Sequence, residues 1–78
     1  MDPEILLEKS LRMSKTCPDR NRYQFLLSGE AKHAWQHMVV NGAGVGAVDP
    51  INRTLYGISV SLEPSVNNGV DIDMIKRQ

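Results

Sequence analysis

The sequence predicts an α+β protein in which an N-terminal antiparallel helical hairpin is followed by a C-terminal two-stranded β-hairpin. Two observations carry this prediction: apolar residues recur every three or four positions up to about residue 41, and from residue 54 they alternate with polar ones. A chain of 78 residues is too short to build two cores, so one domain is expected over residues 1–78. Its expected parts are the helical hairpin at about 2–41, a loop at 42–53 and the β-hairpin at about 54–76.

The first helix has a strong start signal in the run Asp2-Pro3-Glu4. Aspartate can cap a helix, proline fits the first helical position, and glutamate suits the positive end of the helix dipole. We expect this helix to extend to about Lys15. Its apolar residues lie on two faces, with Leu7 and Leu11 on one and Leu6 and Met13 on the other. Both faces are therefore expected to be covered.

A second helix is predicted after the turn Thr16-Cys17-Pro18-Asp19, which has capping-box spacing and a proline inside the first turn. Apolar residues recur at helical spacing up to the stop signal Asn41-Gly42: Tyr23, Leu27, Ala31, Ala34 and Met38, with Leu26 and Trp35 beside them. The alternative is a short strand from Arg22 to Leu27, because Tyr23, Phe25 and Leu27 also alternate. An internal glycine costs about 1 kcal/mol against alanine, yet one helix with a bend at Gly29 is the preferred interpretation. The short connection to the first helix favours an antiparallel hairpin.

The C-terminal third has the period of β-strands. From Thr54 the residues alternate, with Tyr56, Ile58, Val60 and Leu62 on one side and Gly57, Ser59, Ser61 and Glu63 on the other. Turn chemistry at Asn67-Asn68-Gly69 precedes a second alternating segment, in which Val70, Ile72 and Met74 are interleaved with Asp71 and Asp73. The two segments predict a β-hairpin. Its apolar side must pack on the helices or on another chain, because an isolated two-stranded ribbon is only marginally stable.

Charge and cysteine content narrow the class of protein. Nine basic residues balance nine acidic ones, which argues against a general polyanion binder. Cys17 is the single cysteine, so the chain has no intramolecular disulfide, and this suits a reducing cytoplasm better than a secreted scaffold. Apolar runs such as Ile5-Leu6-Leu7 are far shorter than the roughly 20 residues that span a bilayer. A soluble cytoplasmic protein without a membrane span is expected.

The motifs that could carry chemistry are weak. The glycines of residues 42–46 follow a helix, whereas phosphate loops place glycines before a helix N-terminus, so a flexible connection is expected. His33 and His37 have the spacing of two metal ligands but lack a third, which favours a surface or interface pair over a metal site. A partly buried thiol in a turn accounts for Cys17, and there is no serine elbow or pair of acids. We expect a protein that is not an enzyme and that needs no metal or cofactor.

One segment of this neutral chain is strongly basic. Residues 9–22 contain five cations and one acid, Asp19, so their net charge is five minus one, or +4. The cations are Lys9, Arg12, Lys15, Arg20 and Arg22. In a helical hairpin this charge gathers around the turn beside Tyr23, where arginine forks and an aromatic ring could meet a phosphate and a base. A solvated surface with Arg–Asp pairs is an equally weighted alternative.

Part of the predicted second helix resembles a known family. The run Pro18-Asp19-Arg20-Asn21-Arg22, followed by Glu30 and Trp35, resembles the helical-hairpin domain of phage-encoded nucleotide sponges. Proteins of that family sequester the cyclic nucleotide signals of the bacterial CBASS and Thoeris immune systems. The similarity covers residues 18–40, which is 23 of 78 residues.

The resemblance implies a phage protein of the host cytoplasm that counteracts antiphage defence. It implies a homo-oligomer that buries a cyclic di- or trinucleotide, or a cyclic ADP-ribose-type ligand, between subunits without cleaving it. Arg20 and Arg22 match the family's Arg-x-Arg and would neutralise phosphate, whereas stacking of Tyr23 on a base is inferred from the residues alone. The expected ligand-binding residues are Lys9, Arg12, Arg20, Arg22 and Tyr23, and the expected packing or oligomer residues are Leu6, Met13 and Trp35.

A different class of function is a small inhibitor or adaptor that binds a host protein. The exposed edge of the β-hairpin, or the second face of the first helix, would form its binding surface. Binding of nucleic acid is disfavoured by the neutral net charge and by the acids Asp71 and Asp73.

Overall fold

The computed structural model of the chain describes residues 2–64 and 71–77. Helices and strands are interleaved along these residues. The elements are α1 Pro3–Lys15, β1 Tyr23–Leu27, α2 Gly29–Asn41, β2 Val48–Asp49, β3 Thr54–Leu55, β4 Ile58–Leu62 and β5 Ile72–Lys76. The chain combines helices with strands, but the predicted arrangement, a helical hairpin followed by a two-stranded β-hairpin, is wrong.

The strands form one five-stranded mixed sheet in the order β2-β3-β4-β1-β5. β1 lies between β4 and β5, parallel to β4 and antiparallel to β5. β4 therefore has β1 on one side and β3 on the other, so β5 cannot pair with it as the predicted β-hairpin requires. The turn predicted at residues 67–69, and Val70, lie outside the described residues.

The predicted second helix is interrupted, because its first part is strand β1. Phe25 and Leu27 are fully buried, and Tyr23 is partly buried, so the alternation noted in this segment reflects a strand with one covered face. Gly29 ends the extended segment with φ +49, a left-handed conformation that a helix running through residue 29 could not contain. The αα-hairpin prediction fails for this reason, and α2 instead forms the crossover that parallel strands require.

α2 ends as the sequence predicted. Gly42 takes the left-handed conformation at φ 66, and the amide of Ala43 donates to the carbonyl of Met38 at 2.9 Å. At the other end of α2, the capping group comes from far along the chain: the amide of Glu30 donates to Oδ2 of Asp71 at 3.1 Å. The start of α2 is thus tied to the start of β5.

α1 begins and ends as predicted, but its start is held differently. The carbonyl of Asp2 accepts from the amides of Ile5 and Leu6 at 3.0 and 3.1 Å, while its side chain makes no capping bond. α1 buries Leu6 together with Ser10 and Ser14, whose hydroxyls donate to helix carbonyls at 2.7 Å. Leu7 and Met13 pack partly buried against the core while Leu11 is exposed, so within the described residues one of the two faces expected to be covered is covered only in part.

The sheet has one face under the helices and one open face. The strand residues buried on the covered face are Phe25, Leu27, Leu55, Ile58 and Ile72, which pack with Leu6 of α1 and with Ala31, Ala34, Trp35 and Met38 of α2. The alternate positions of β1, β4 and β5 form the open face: Gln24, Leu26, Ser59, Ser61, Asp73 and Ile75. β4 and β5 are strands, as the two-residue period predicted, but burial decreases along each strand instead of alternating: Ile58 and Ile72 are buried, whereas Leu62 and Ile75 are exposed.

Across the described residues, neither helix has the length and apolar character needed to pass through a membrane.

Candidate functional site

Four cationic residues lie where β1 begins and β5 ends. Arg20 and Arg22 precede β1, Lys76 is the last residue of β5, and Arg77 follows it. Tyr23 pairs with Lys76, and the amide of Arg77 donates to the carbonyl of Arg22 at 2.6 Å, so the two basic pairs lie on neighbouring strands. We call this cluster of Arg20, Arg22, Lys76 and Arg77 the basic end.

Arg20 also lies against the turn before β4. Its Nη1 would be 3.6 Å from a Cβ placed on Gly57, and its Cδ would be 3.7 Å away. Because β4 is parallel to β1, the start of β4 lies at the same end of the sheet as the start of β1. The basic end therefore extends over three adjacent strands, β4, β1 and β5.

Among residues 2–64 and 71–77, the basic end has one acidic neighbour in contact. Oδ2 of Asp19 lies 3.4 Å from Nε of Arg22, and the arginine side chain is 71% exposed. Oδ1 of Asp19 accepts from the amide of Asn21 at 3.0 Å, which shapes the turn before β1. Exposed ion pairs of this kind contribute about 0–1 kcal/mol. Four cations less this one acid leave +3, and Asp19 costs little to displace.

The opposite end of β1 is acidic. The amide of Ser28 donates to the carbonyl of Asp71 at 2.9 Å, and the amide of Glu63 donates to the carbonyl of Leu27 at 2.8 Å. With Glu30 capped by Asp71, three acids meet here: Glu30, Glu63 and Asp71. We call this cluster the acidic end. Five residue steps at about 3.4 Å each separate it from the basic end by about 17 Å along β1, so a neutral chain is polarised along its central strand.

The structure brings together three of the five predicted ligand-binding residues. Arg20, Arg22 and Tyr23 lie at the basic end, although on a strand rather than at the bend of a helical hairpin. Arg12 forms an exposed ion pair with Glu8 at 2.7 Å along α1, and Lys9 is exposed on the same helix. Arg12 and Lys9 are thus carried by α1, whereas the other three are carried by the start of β1 and the turn before it.

Sequence reasoning missed Lys76 and Arg77. The two cations follow the last alternating segment, but only a strand at residues 23–27 sets them beside Arg22. The alternative interpretation of Arg22–Leu27 as a strand was therefore the signal that could have found them.

The predicted packing residues lie in the core of the single chain. Leu6 and Trp35 are buried in the cluster between the helices and the sheet, and Met13 is partly buried against it. Their burial is explained by packing between α1, α2 and the covered face of the sheet.

An open groove runs beside α2. Its volume is about 540 Å³, and it is lined by Trp35, Gln36, Val39, Val40, Pro50, Arg53, Val60, Ser61 and Leu62. Val40 is 82% exposed at its rim. Arg53 is the charged residue of the lining and has φ 54, and its carbonyl accepts from the amide of Val60 at 2.9 Å. We call this cavity the α2 groove.

The turn that forms one wall of the groove is organised by Asp49. Its carboxylate accepts from Nδ2 of Asn52 at 2.8 Å and from the amides of Asn52 and Ile51 at 3.1 and 3.0 Å. These hydrogen bonds, the side-chain bond from Asn52 first, hold the pKa of Asp49 below its ordinary value.

The other sequence motifs have local roles. The glycines of residues 42–46 connect α2 with β2, a short strand that lies inside the predicted loop 42–53, and Gly44 and Gly46 have positive φ. His37 is exposed and contacts Nδ2 of Asn41 at 3.1 Å, and His33 is also exposed. Within residues 2–64 and 71–77, no three His, Cys, Asp or Glu side chains are grouped so as to hold a metal ion. Cys17 is partly buried against the core.

Fold and site together define a small two-layer α+β protein with a cationic cluster at one end of its sheet. No protein-family model matches the sequence, no curated protein is significantly similar to it, and no solved structure matches its fold.

Proposed function

We propose that this chain is a non-catalytic binding protein that captures a phosphorylated small molecule at its basic end. One observation carries the proposal: Arg20, Arg22, Lys76 and Arg77 converge from two separate segments of the chain onto the same end of the sheet. Guanidinium groups bind phosphate oxygens through paired, charge-assisted hydrogen bonds, which are about twice as strong as neutral ones.

The basic end also has an aromatic residue, Tyr23, on which a planar ligand group can stack. Tyr23 is the first residue of β1 and is only partly buried, beside Arg22 in the chain and opposite Lys76 in the sheet. A tyrosine ring paired with Lys76, with the arginines one residue away on each strand, suits a ligand that joins a phosphate to an aromatic base. A nucleotide combines these two groups, and capture requires no group that cleaves it.

The finer proposal is that the nucleotide is a cyclic signal of host immunity. Cyclic di- and trinucleotides and cyclic ADP-ribose-type compounds are the candidates, and capture in the host cytoplasm would suit a phage-encoded antagonist of defence. This identification rests on the sequence resemblance over residues 18–40, and the single helix on which that resemblance depends is replaced by β1 and α2. The two arginines of the matched Arg-x-Arg, Arg20 and Arg22, remain in its support, and Tyr23 beside them supports a base independently of the resemblance.

Isothermal titration of the purified chain tests both the general proposal of a phosphate site and the finer proposal of a cyclic signal. The ligands to be titrated are inorganic pyrophosphate, linear nucleotides, cyclic di- and trinucleotides and cyclic ADP-ribose. Micromolar binding of one cyclic compound, with clearly weaker but measurable binding of pyrophosphate, is the expected result. Binding of pyrophosphate and linear nucleotides with equal affinity would support the anion site and remove the immune role. No binding by any compound at micromolar concentration would contradict the proposal.

Substitutions then locate the ligand. Arg22→Gln and Arg77→Gln each remove one charge-assisted contact of about 1.5 kcal/mol, so roughly tenfold weaker binding is expected from each. Lys32→Gln is the matched control, because it removes the same charge from the first part of α2, which begins at the acidic end. If all three variants weakened ligand binding equally, the affinity would depend on the net charge of the chain and not on a defined site.

The α2 groove favours a second function, binding of a protein segment. Its apolar lining includes the highly exposed Val40, and Arg53 at its edge would attract a carboxylate. The occupant that fits is an extended apolar peptide carrying one acidic residue. Peptides selected against the immobilised chain should show that pattern and should lose binding to Val40→Asp, while Ile5→Asp on α1 leaves binding intact. Selected peptides without the pattern, or peptides that bind Val40→Asp equally well, would contradict this function.

A further inference from the structure

β5 is an edge strand of the described sheet, and its hydrogen-bonding direction can be derived from the ladder with β1. The amide of Ser28 donates to the carbonyl of Asp71, and the amide of Arg77 donates to the carbonyl of Arg22. Residues along a strand alternate in the direction of their backbone groups. Positions 71, 73, 75 and 77 therefore face β1, whereas Ile72, Met74 and Lys76 direct their amides and carbonyls away from the sheet.

The central outward amide is held by the chain itself. The amide of Met74 donates to Oδ1 of Asp73 at 2.8 Å. A charged side chain placed over an edge strand is one of the ways in which proteins hinder the addition of another strand. Any strand that pairs with β5 must therefore displace the carboxylate of Asp73 and offer it another partner.

The charges along β5 are ordered. Two acids, Asp71 and Asp73, come first, and two bases, Lys76 and Arg77, come last. A parallel copy of this strand would place acids beside acids and bases beside bases. An antiparallel copy would place each acidic half beside a basic half, so the edge is complementary to itself in that orientation alone.

We propose that two copies of this chain pair through β5 in antiparallel orientation, centred on Met74. The outward residues fix the register: Met74 lies opposite Met74 of the second copy, and Ile72 lies opposite Lys76 of the second copy. These pairs make about six backbone hydrogen bonds between the copies. Asp71 then faces Arg77 of the second copy, and the displaced carboxylate of Asp73 lies diagonal to the same arginine. The two sheets join into one continuous sheet.

Ile75 gives a test that is specific to this register. Its side chain is 37% exposed on the open face, and in the paired edge it stands opposite Asp73 of the second copy, in a position without backbone bonds where side chains approach closely. Ile75→Lys creates two opposite-charge pairs per dimer, and Ile75→Asp creates two like-charge pairs. Dissociation constants should fall and rise, respectively, by roughly fivefold.

The experiment is sedimentation equilibrium of the wild-type chain and both variants from micromolar to millimolar concentration, with amide hydrogen exchange at both limits. The wild type should form a dimer in which the amides of Ile72 and Lys76 become protected as concentration rises. Three results would each overturn the inference: a wild-type monomer at millimolar concentration, shifts of both variants in the same direction, or a dimer whose Ile72 and Lys76 amides exchange freely. The sedimentation experiment contains no phosphorylated ligand, so failure here leaves the proposed function to its own test. Where the dimer forms, a ligand at the basic end competes with Asp71 of the second copy for Arg77.

Discussion

Gly29 stands where β1 gives way to α2, and two separate constraints require a glycine there. Its φ is +49, and a Cβ at this position would lie 2.9 Å from Oδ1 of Asp71, the residue that caps α2. Gly42 at the other end of α2 has φ +66, but a Cβ there would meet nothing within 4 Å. Gly42 therefore carries the backbone constraint alone, which makes it a matched control.

We expect Gly42→Ala to lower the free energy of unfolding by about 1 kcal/mol, the cost of a left-handed alanine. Gly29→Ala should cost about 1 kcal/mol more, because the new methyl group displaces the Asp71 carboxylate from the Glu30 amide. Urea denaturation of both variants measures the difference. Equal losses would mean that Asp71 contributes nothing to capping α2.

Asp49 gives a pH-dependent contribution with a defined sign. Hydrogen bonds from Asn52 and Ile51 lower its pKa in the folded chain below the ordinary value of 3.8. A depressed carboxyl pKa contributes stability above the unfolded pKa, and that contribution disappears as the pH falls through the folded pKa. In Asn52→Ala, which removes the largest cause, the pKa of Asp49 should rise toward 3.8. Carbon-detected NMR titration of the Asp49 carboxyl measures this rise, and an unchanged pKa would show that Asn52 is not its cause.

β1 pairs with β4 on one side and β5 on the other. Substitutions at neighbouring residues of β1 should differ sharply in how much they lower the free energy of unfolding. Phe25 is fully buried under the helices, whereas Leu26 lies on the open face. Phe25→Ala should cost about 3–5 kcal/mol of unfolding free energy, the usual range for a buried phenylalanine. Leu26→Ala should cost much less. If residues 23–27 instead formed the helix that the sequence favoured, Leu26 would lie beside its apolar stripe. Chemical denaturation would then show comparable losses of unfolding free energy for Phe25→Ala and Leu26→Ala.

The interpretation of residues 23–27 failed because two periods coincide there. Tyr23, Leu27 and Ala31 are spaced by four, as in a helix, yet β1 ends at Leu27 and α2 starts at Gly29 after a single residue. A short strand joined directly to a helix therefore continues the apparent helical spacing. Local signals predicted α1, the end of α2 and the presence of strands at β4 and β5. The pairing of Gln24 with Ser59 joins residues far apart in sequence, and nothing local indicates it.

The candidate site could likewise be predicted where its residues are neighbours in sequence, but not where distant strand pairing brings them together. Arg20, Arg22 and Tyr23 are close in sequence, so their cluster was visible without knowledge of the fold. Lys76 and Arg77 join that cluster only because β5 pairs antiparallel with β1. Residues brought to a site by distant strand pairing could be found only after the sheet order was known.

At the scale of the whole molecule, the neutral net charge conceals a separation of charge. The basic end and the acidic end lie at opposite ends of β1, about 17 Å apart. At physiological ionic strength the Debye length is about 8 Å, so each end acts almost independently, whereas at 0.01 M it is about 30 Å and each end feels the other. A chain with balanced charges can therefore attract an anion at one end while the other end repels it.

This separation predicts a salt-dependent effect of a distant acid. Glu63 lies at the acidic end, where its Oε1 accepts from the hydroxyl of Ser61 at 2.7 Å, a bond that glutamine can also accept. With inorganic pyrophosphate as the probe, Glu63→Gln should leave affinity for the basic end unchanged at physiological salt and should raise it about twofold at low salt, where the negative charge is no longer screened. Titration calorimetry at both ionic strengths measures the two affinities. If Glu63→Gln instead raised the affinity by the same factor at both ionic strengths, the anion would lie near Glu63 and not at the basic end. Only a short-range contact escapes screening by salt.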